Sequence, residues 1–201
     1  MVLSKQLDFY FDFGSPTAYL AYKRLGQLSE QYDLDVTPRP MLLGGVFKAT
    51  DNMSPVAIPA KGTYMLQHDL PRFAHRYGVT LNFNPHFPIN TLNLMRGALA
   101  ATQLGCLAPY MAVVFDATWV HGIDMGDPEK VAEVLQTGGL DAQALMALSQ
   151  DPQIKSALIS ATEEAVARGA FGAPTMFMDG AMYFGQDRLD FIEEALKAES
   201  G

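Results

Sequence analysis

The sequence predicts an α/β fold that carries a helical insertion, and three observations predict it. Strand and helix patterns alternate as strand–helix–strand near the beginning of the 201 residues, and as strand–turn–strand–helix near the end. Between these two parts, about a hundred residues have an almost wholly helical pattern. Apolar residues make up 49% of the sequence, which is enough for a sizeable core.

The first predicted unit is strand–helix–strand. The segment LDFYFDF (Leu7–Phe13) is rich in aromatic residues and has strong strand propensity. From Ser15 to Tyr32 the apolar residues recur at helical spacing, and Ser15-Pro16 is a favourable helix start. A second strand is predicted over Leu34–Leu42, where two prolines favour an edge position in the sheet.

The middle of the chain is predicted to be a loop followed by helices. The loop runs from Gly44 to Pro59, where Gly, Asn, Ser and Pro are frequent. Aspartates directly before Pro128 and Pro152 are N-cap signals. The uncharged stretch from 97 to 115 is interrupted by Gly105 and Pro109, which favours two buried helices over a membrane span. The predicted helices cover residues 60–77, 90–104, 107–120, 128–137, 141–149 and 152–168.

The last predicted unit is a hairpin followed by a helix. The runs PTMFM (Pro174–Met178) and AMYFG (Ala181–Gly185) flank Asp179-Gly180, which is a strong hairpin signal. A helix is predicted over residues 188–198. The complete order is that of a thioredoxin-like fold. We therefore predict a thioredoxin-like domain over residues 1–58 and 169–201, and an all-helical insertion domain over residues 59–168.

Charge and cysteine content exclude several classes of function. The net charge of −8 and the sequence pI of about 4.8 argue against nucleic acids and anionic membranes as partners. The single cysteine, Cys106, excludes an internal disulfide and favours a cytoplasmic protein. Charges at Lys5, Asp8 and Asp12 are unlike a secretory signal. The histidines show no ligand spacing, so no metal is expected.

The corner between the first strand and the first helix is the first candidate site. Thioredoxin-like proteins with redox activity carry Cys-x-x-Cys at this corner, but here the tetrapeptide is Ser15-Pro16-Thr17-Ala18. We expect Cys106, in the helical insertion, to be a small buried apolar residue. Dithiol chemistry is therefore excluded, and any reacting thiol has to come from another molecule. Ser15-Pro16 is also explained by helix capping alone.

Two further motifs follow near the end of the chain. The segment FGAPTMF (Phe171–Phe177) places a proline before a strand; it is either an ordinary turn proline or the cis proline found here in thioredoxin-like proteins. In the second case, the Ala173 backbone would pair with an extended peptide. In YFGQDRLDF, Asp187 and Asp190 have the spacing of a helix capping box.

These motifs together resemble one enzyme family. The segments DFYFDFGSPTAYLA, NMSPVAIPAKGTYM (Asn52–Met65), FGAPTMF and FGQDRLDF occur in matching order in 2-hydroxychromene-2-carboxylate isomerases and the related kappa-class glutathione transferases. The resemblance implies glutathione as cofactor and cis–trans isomerisation of 2-hydroxychromene-2-carboxylate or a similar aromatic enone acid. It also implies a homodimer and a role in aromatic compound catabolism. A kappa-like transferase and a non-catalytic thioredoxin-like binding module are the alternatives.

The resemblance also implies the site residues. Ser15 would hydrogen-bond the glutathione sulfur and so assist catalysis. Ala173 and Pro174 would pair with the cysteinyl unit. Lys61 would meet the glycyl carboxylate, although its charge is equally explained by solvation. The remaining implied residues are Asn52, lining the glutathione site, Gly185, Gln186 and Asp187 at the γ-glutamyl end, and Lys48 for a substrate carboxylate.

The chain departs from the family pattern on one side of this site. Gly14 stands where relatives often have a larger residue, and Thr17-Ala18 replace an aromatic residue and a serine. These positions border the side expected to hold the substrate, so they bear on the substrate more than on the cofactor.

Overall fold

The computed structural model describes residues 4–199, and its centre is one mixed sheet in the order β2-β1-β3-β4. Strand β1 is parallel to β2 and antiparallel to β3, and β3 and β4 form an antiparallel hairpin. The strands are β1 (Lys5–Phe11), β2 (Leu34–Pro40), β3 (Thr175–Met178) and β4 (Ala181–Phe184).

Helices cover the sheet and form most of the middle of the chain. A 3-10 turn over Pro55–Ala57 precedes α3, a π turn over Met65–Asp69 joins α3 to α4, and a 3-10 turn over Gln186–Arg188 precedes α10. The helices are α1 (Pro16–Gln31), α2 (Leu43–Thr50), α3 (Pro59–Tyr64), α4 (Leu70–Tyr77), α5 (Leu92–Gln103), α6 (Leu107–Trp119), α7 (Pro128–Thr137), α8 (Ala142–Ser149), α9 (Pro152–Ala167) and α10 (Leu189–Glu199). No helix within residues 4–199 is both long enough and apolar enough to cross a membrane.

The predicted thioredoxin-like order is confirmed. Strand β2 lies at the sheet edge, as its prolines indicate, because an edge strand can lack the ladder donors that proline removes. The hairpin turn is at Asp179-Gly180, where both residues have positive φ (51° and 80°).

The predicted loop from Gly44 to Pro59 is wrong in part, because it contains α2 and a 3-10 turn. Its glycines lower local helix propensity, but tertiary contacts stabilise the helix. The Leu43 amide donates to the Asp12 carboxylate at 2.8 Å. A Cβ atom added at Gly45 would lie 3.1 Å from Thr162 Cγ2, so this glycine lets α2 pack closely on α9.

One hydrophobic core joins the sheet to the helical segment. The Phe115 ring of α6 lies 5.7 Å from the Phe11 ring, 4.7 Å from that of Phe13 and 5.0 Å from that of Tyr22, measured between centroids. A smaller cluster, which includes Tyr10, Met41, Val46, Ala165 and Phe177, contains residues of α2 and α9.

The sheet order brings two distant motifs together. Because β1 and β3 are neighbours, with Tyr10 opposite Thr175, the turn after β1 lies beside the turn before β3. The Ser15 corner and the Ala173-Pro174 turn therefore meet at the same end of the sheet.

Candidate functional site

Ser15 lies at the N-terminus of α1. Its backbone is extended (φ −99°, ψ 113°), and its hydroxyl accepts a hydrogen bond from the Ala18 amide at 3.1 Å. Pro16 occupies the first helical turn, where its missing N–H costs nothing. Ser15 is therefore an N-cap, as its residue type favours, and its side chain lies at the positive end of the helix dipole.

The turn before β3 completes the floor of the site. The Ala173-Pro174 peptide bond is cis, which decides between the two alternatives that the sequence left open. The Ser15 hydroxyl donates to the Ala173 carbonyl at 3.0 Å, and the Thr17 hydroxyl donates to the same oxygen at 3.1 Å. The two hydroxyl oxygens lie 2.9 Å apart. Ser15 is 4% exposed, whereas Thr17 and Ala173 are partly buried, and all three residues line the same cavity.

The segment after β4 forms a second side of the site. Gly185 has φ 95°, and its amide donates to the Pro174 carbonyl at 3.0 Å. This positive φ is a conformation that residues with a Cβ atom rarely adopt, so the position favours glycine. Asp187 makes no side-chain capping bond within residues 4–199; its carboxylate accepts from the neighbouring Arg188 guanidinium.

Asn52 and Lys61 lie on a third side. The Asn52 amide nitrogen donates to the Phe171 carbonyl at 2.9 Å, which ties the segment after α2 to the turn before β3. Lys61 is exposed on α3, and within residues 4–199 its ammonium is not part of any ion pair. The next residue, Gly62, packs so closely on the 3-10 turn that an added Cβ would lie 2.6 Å from the Val56 carbonyl oxygen.

These three sides enclose a cavity of about 340 Å³, within the range of about 300–1,000 Å³ typical of small-molecule sites. Among the predicted site residues, Ser15, Asn52, Lys61, Ala173, Gly185, Gln186 and Asp187 line it. Pro174 is buried behind Ala173. Lys48 is exposed in the last turn of α2 and does not line the cavity. A groove of about 880 Å³ that includes residues of α6 and α7 contains none of the predicted residues.

The walls of the cavity combine two kinds of surface. Hydroxyls, backbone groups and the charges of Lys61, Asp69 and Asp187 suit a peptide-like molecule with charged ends. The rest suits a flat apolar molecule, since apolar walls with a few polar groups are typical of ligand sites. The apolar lining comes from Leu43, Phe47, Met53, Val56, Ile58, Met65, Phe87, Phe171 and Phe184.

Sequence reasoning missed Asp12, which is 1% exposed beneath the corner. Its carboxylate accepts from the Gly14 amide at 2.9 Å and the Leu43 amide at 2.8 Å, and from the Thr91 side chain. Burial raises the pKa of Asp12, because desolvation opposes its charge more than these hydrogen bonds favour it. The signal that could have found it was an acidic residue between two phenylalanines, inside an apolar run for which the sequence predicts a strand.

Tyr77, at the end of α4, was also missed. Its hydroxyl donates to the Gln186 carbonyl at 2.8 Å and so fixes the start of the last helical segment. Burial, with a smaller contribution from the nearby Asp190 carboxylate, raises the pKa of Tyr77 to about 12. Tyr77 is therefore a neutral donor at ordinary pH.

Cys106 lies outside the site. It precedes α6, is partly buried and packs against the main core, as expected for an apolar role. Across the part of the chain that the structure describes, no group of three or more His, Cys, Asp or Glu side chains could hold a metal ion.

Comparison with known proteins identifies the family of this chain. The model of the DSBA-like thioredoxin domain matches residues 6–197. The 2-hydroxychromene-2-carboxylate isomerase of Sphingobium xenophagum is 33% identical over 197 residues, which cover 96% of this chain and 99% of that protein. Glutathione S-transferase kappa 1 of Homo sapiens is 27% identical over 212 residues, with 96% and 92% covered. A solved selenomethionine 2-hydroxychromene-2-carboxylate isomerase has a TM-score of 0.87 at 32% identity, and the match covers 97% of this chain and 96% of that one. The chain therefore belongs to the DSBA-like thioredoxin family and to the 2-hydroxychromene-2-carboxylate isomerases, a family of enzymes.

Proposed function

We propose that this protein is a glutathione-dependent isomerase that interconverts the cis and trans forms of 2-hydroxychromene-2-carboxylate or a similar aromatic enone acid. The observation that carries the proposal is the pairing of Ser15 with the Ala173 carbonyl at the N-terminus of α1, inside the cavity lined by Asn52, Lys61 and Asp187. When bound, glutathione supplies a thiolate that adds reversibly to a conjugated double bond, so that rotation becomes possible and the thiol is recovered.

Ser15 has the position to stabilise that thiolate. A free thiol has a pKa of about 8.5, so only about 3% is ionised at neutral pH. A hydroxyl donor and the positive end of the α1 dipole both favour the anion. Lowering the thiol pKa by about two units needs about 2.7 kcal/mol, which is within reach of these two effects.

The other residues fit the charged ends of glutathione. The Ala173 backbone pairs with the cysteinyl unit. The exposed Lys61 ammonium would meet the glycyl carboxylate, with Asn52 beside it. The γ-glutamyl end would lie at Gly185, Gln186 and Asp187, where backbone amides would donate to its carboxylate and the Asp187 carboxylate would accept from its ammonium. Lys48, on the outer side of α2, stays a prediction for a substrate carboxylate.

A kappa-like transferase is the second candidate, because the human kappa enzyme aligns with 96% of the length of this chain at 27% identity. It would share the addition step and differ only in keeping the adduct as product. The homodimer, the cytoplasmic location and the role in aromatic catabolism stay predictions. A binding module without catalysis is disfavoured, since the chain belongs to an enzyme family.

The first experiment titrates glutathione by calorimetry into the wild type and into Asp187→Asn. Losing a charge-assisted hydrogen bond should weaken binding about ten- to a hundredfold. Glutathione lacking its α-amino group should bind both proteins equally weakly. The matched control is Asp190→Asn, one turn further along, whose carboxylate pairs with Arg76 at 2.9 Å; its affinity should equal that of the wild type.

The second experiment assays a panel of aromatic enone acids with and without glutathione. We expect isomerisation that requires glutathione and does not consume it. Accumulation of a stable adduct would instead identify a transferase. Absence of glutathione binding would overturn the proposal.

A further inference from the structure

The hydroxyls of Ser15 and Thr17 and the carbonyl of Ala173 make three hydrogen-bonding contacts with one another, but only two hydroxyl protons are available for them. Three oxygens face one another: Ser15 Oγ and Thr17 Oγ1 lie 3.0 Å and 3.1 Å from the Ala173 carbonyl oxygen, and 2.9 Å from each other. Each hydroxyl has one proton, so two protons serve three contacts. Ser15 Oγ also accepts a hydrogen bond from the Ala18 amide. Its single proton is the one hydrogen that it can donate.

Ser15 can donate this proton to a thiolate only by releasing the Ala173 carbonyl. Ala173 is partly buried, and a carbonyl there that loses a donor costs free energy, so the release is favoured by a substitute donor. The Thr17 hydroxyl is already within hydrogen-bonding distance of the same oxygen. Thr17 is half-buried and lines the cavity, whereas Ser15 is 4% exposed.

An incoming peptide strengthens this exchange. A carbonyl oxygen has two lone pairs, and here Ser15 and Thr17 occupy both. A peptide amide that pairs with the Ala173 backbone takes one of them. One hydroxyl must then turn its proton elsewhere, and the nearest new acceptor is the sulfur of the bound thiol. Docking of the peptide and stabilisation of its thiolate are thereby linked.

We propose that Thr17 is a positioning residue of this site: it holds the Ala173 carbonyl while Ser15 turns its proton to the sulfur of bound glutathione. The thiol proton leaves to solvent, so binding near neutral pH releases a proton. This inference rests on the proposed function.

The test measures the pKa of the bound thiol and not only turnover. Thr17→Val keeps the side-chain shape but removes the hydroxyl, and Thr17→Ser keeps the hydroxyl. Proton release on binding is measured by calorimetry in two buffers of different ionisation enthalpy, and thiolate absorbance is followed across pH. In Thr17→Val the thiol pKa should rise by about one unit and kcat should fall about tenfold, because the second lone pair of the Ala173 carbonyl then competes with the sulfur for the one proton of Ser15. Thr17→Ser should match the wild type in both.

A threonine outside the site provides the control. Thr102 donates to the Ala98 carbonyl at 3.0 Å within α5, so Thr102→Val removes an equivalent bond and should leave the thiol pKa and kcat unchanged. If Thr17→Val fails to fold, Thr17→Ala replaces it, with the same expected shift. A wild-type thiol pKa in these variants, or a shift of equal size in Thr17→Ser, would overturn the inference alone. A wild type that does not bind glutathione would overturn it together with the proposed function.

Discussion

At the scale of single residues, Ser15 has two roles that can be separated by measurement. Its hydroxyl oxygen accepts from the Ala18 amide and so caps α1, while its proton is directed to the Ala173 carbonyl. The first role contributes to folding and the second to the proposed chemistry. Capping needs only the acceptor oxygen of Ser15, whereas the proposed chemistry also needs its proton.

We expect Ser15→Ala to keep the fold and lose most of the activity. The lost cap should reduce the free energy of unfolding by about 1 kcal/mol. The glutathione-dependent rate should fall about 10²-fold, the usual weight of one donor to a developing anion. Denaturant unfolding and kcat measure the two effects. The control is Ser149→Ala, since Ser149 is also buried (5% exposed) but lies in α8, outside the site, so its substitution should leave the rate unchanged. Full activity in Ser15→Ala would remove Ser15 from the mechanism.

At the scale of elements, the site depends on bonds between parts of the chain that are far apart. Asp12 joins the end of β1 to the start of α2, and Tyr77 joins the end of α4 to the segment before α10. The Trp119 indole of α6 donates to the Phe13 carbonyl at 2.8 Å, which holds the corner from the opposite side. The cavity keeps its shape because separate elements share these bonds.

Asp12→Asn should destabilise the start of α2. An asparagine has one acceptor oxygen, so its NH₂ group would face either the Gly14 or the Leu43 amide, and one of these donors would lose its partner. We expect a loss of about 1–3 kcal/mol in unfolding free energy. Hydrogen exchange should show faster exchange of the α2 amides. Asp35→Asn, at an exposed position of β2, should change neither; equal behaviour of the two variants would show that Asp12 does not fix α2.

A second network predicts how stability depends on pH. Asp8 of β1 accepts from Arg39 of β2 at 2.9 Å and from Arg168, just after α9, at 2.7 Å. Burial opposes the charge of Asp8, but the two guanidinium groups outweigh it, so the pKa of Asp8 lies below its ordinary value of 3.8. Because the pKa of Asp8 is lower in the folded state, its ionised carboxylate stabilises the fold at pH values above 3.8. This stabilisation is lost as the pH falls through the folded-state pKa.

The free energy of unfolding of Asp8→Asn, measured with denaturant, should therefore differ from that of the wild type near neutral pH but not in acid. We expect the wild type to be more stable by about 1 kcal/mol near neutrality, with the difference vanishing in acid. Arg168→Met keeps an aliphatic side chain beside the Phe177 ring but removes the charge. Like Asp8→Asn, it should make the free energy of unfolding depend less on pH. A constant difference at every pH would contradict the assigned cause.

At the scale of the whole molecule, the sheet and the helical segment share one core. We propose that the thioredoxin-like parts (1–58 and 169–201) and the insertion (59–168) are regions of a single cooperative unit. The single tryptophan, Trp119, is fully buried in the insertion and bonded to the β1 corner, so it reports on the contact between the two regions.

Unfolding should occur in one transition. Trp119 fluorescence and far-ultraviolet circular dichroism should give the same midpoint and slope in denaturant. Cys106→Ser, a small change at the edge of the main core, should shift both curves together. Two separated transitions would instead show that the insertion folds independently.

Local sequence accounts for the features that depend only on neighbouring residues. Ser15 caps α1, Asp127 and Asp151 cap α7 and α9, and Asp179-Gly180 closes the hairpin, because each of these preferences acts within a few residues. The order of elements followed from these signals, and it carried the prediction of the fold. It left open whether the peptide bond before Pro174 is cis.

Only the tertiary structure decided which groups share a hydrogen bond. The Thr17 and Ser15 hydroxyls meet the Ala173 carbonyl across more than 150 positions of sequence, and Asp12 stabilises α2 where local propensity favours a loop. It also left Lys48 outside the cavity that its neighbour Phe47 lines. The physical reason is that a buried polar group takes the partner that folding brings within reach, and no preference of its sequence neighbours determines which partner that is.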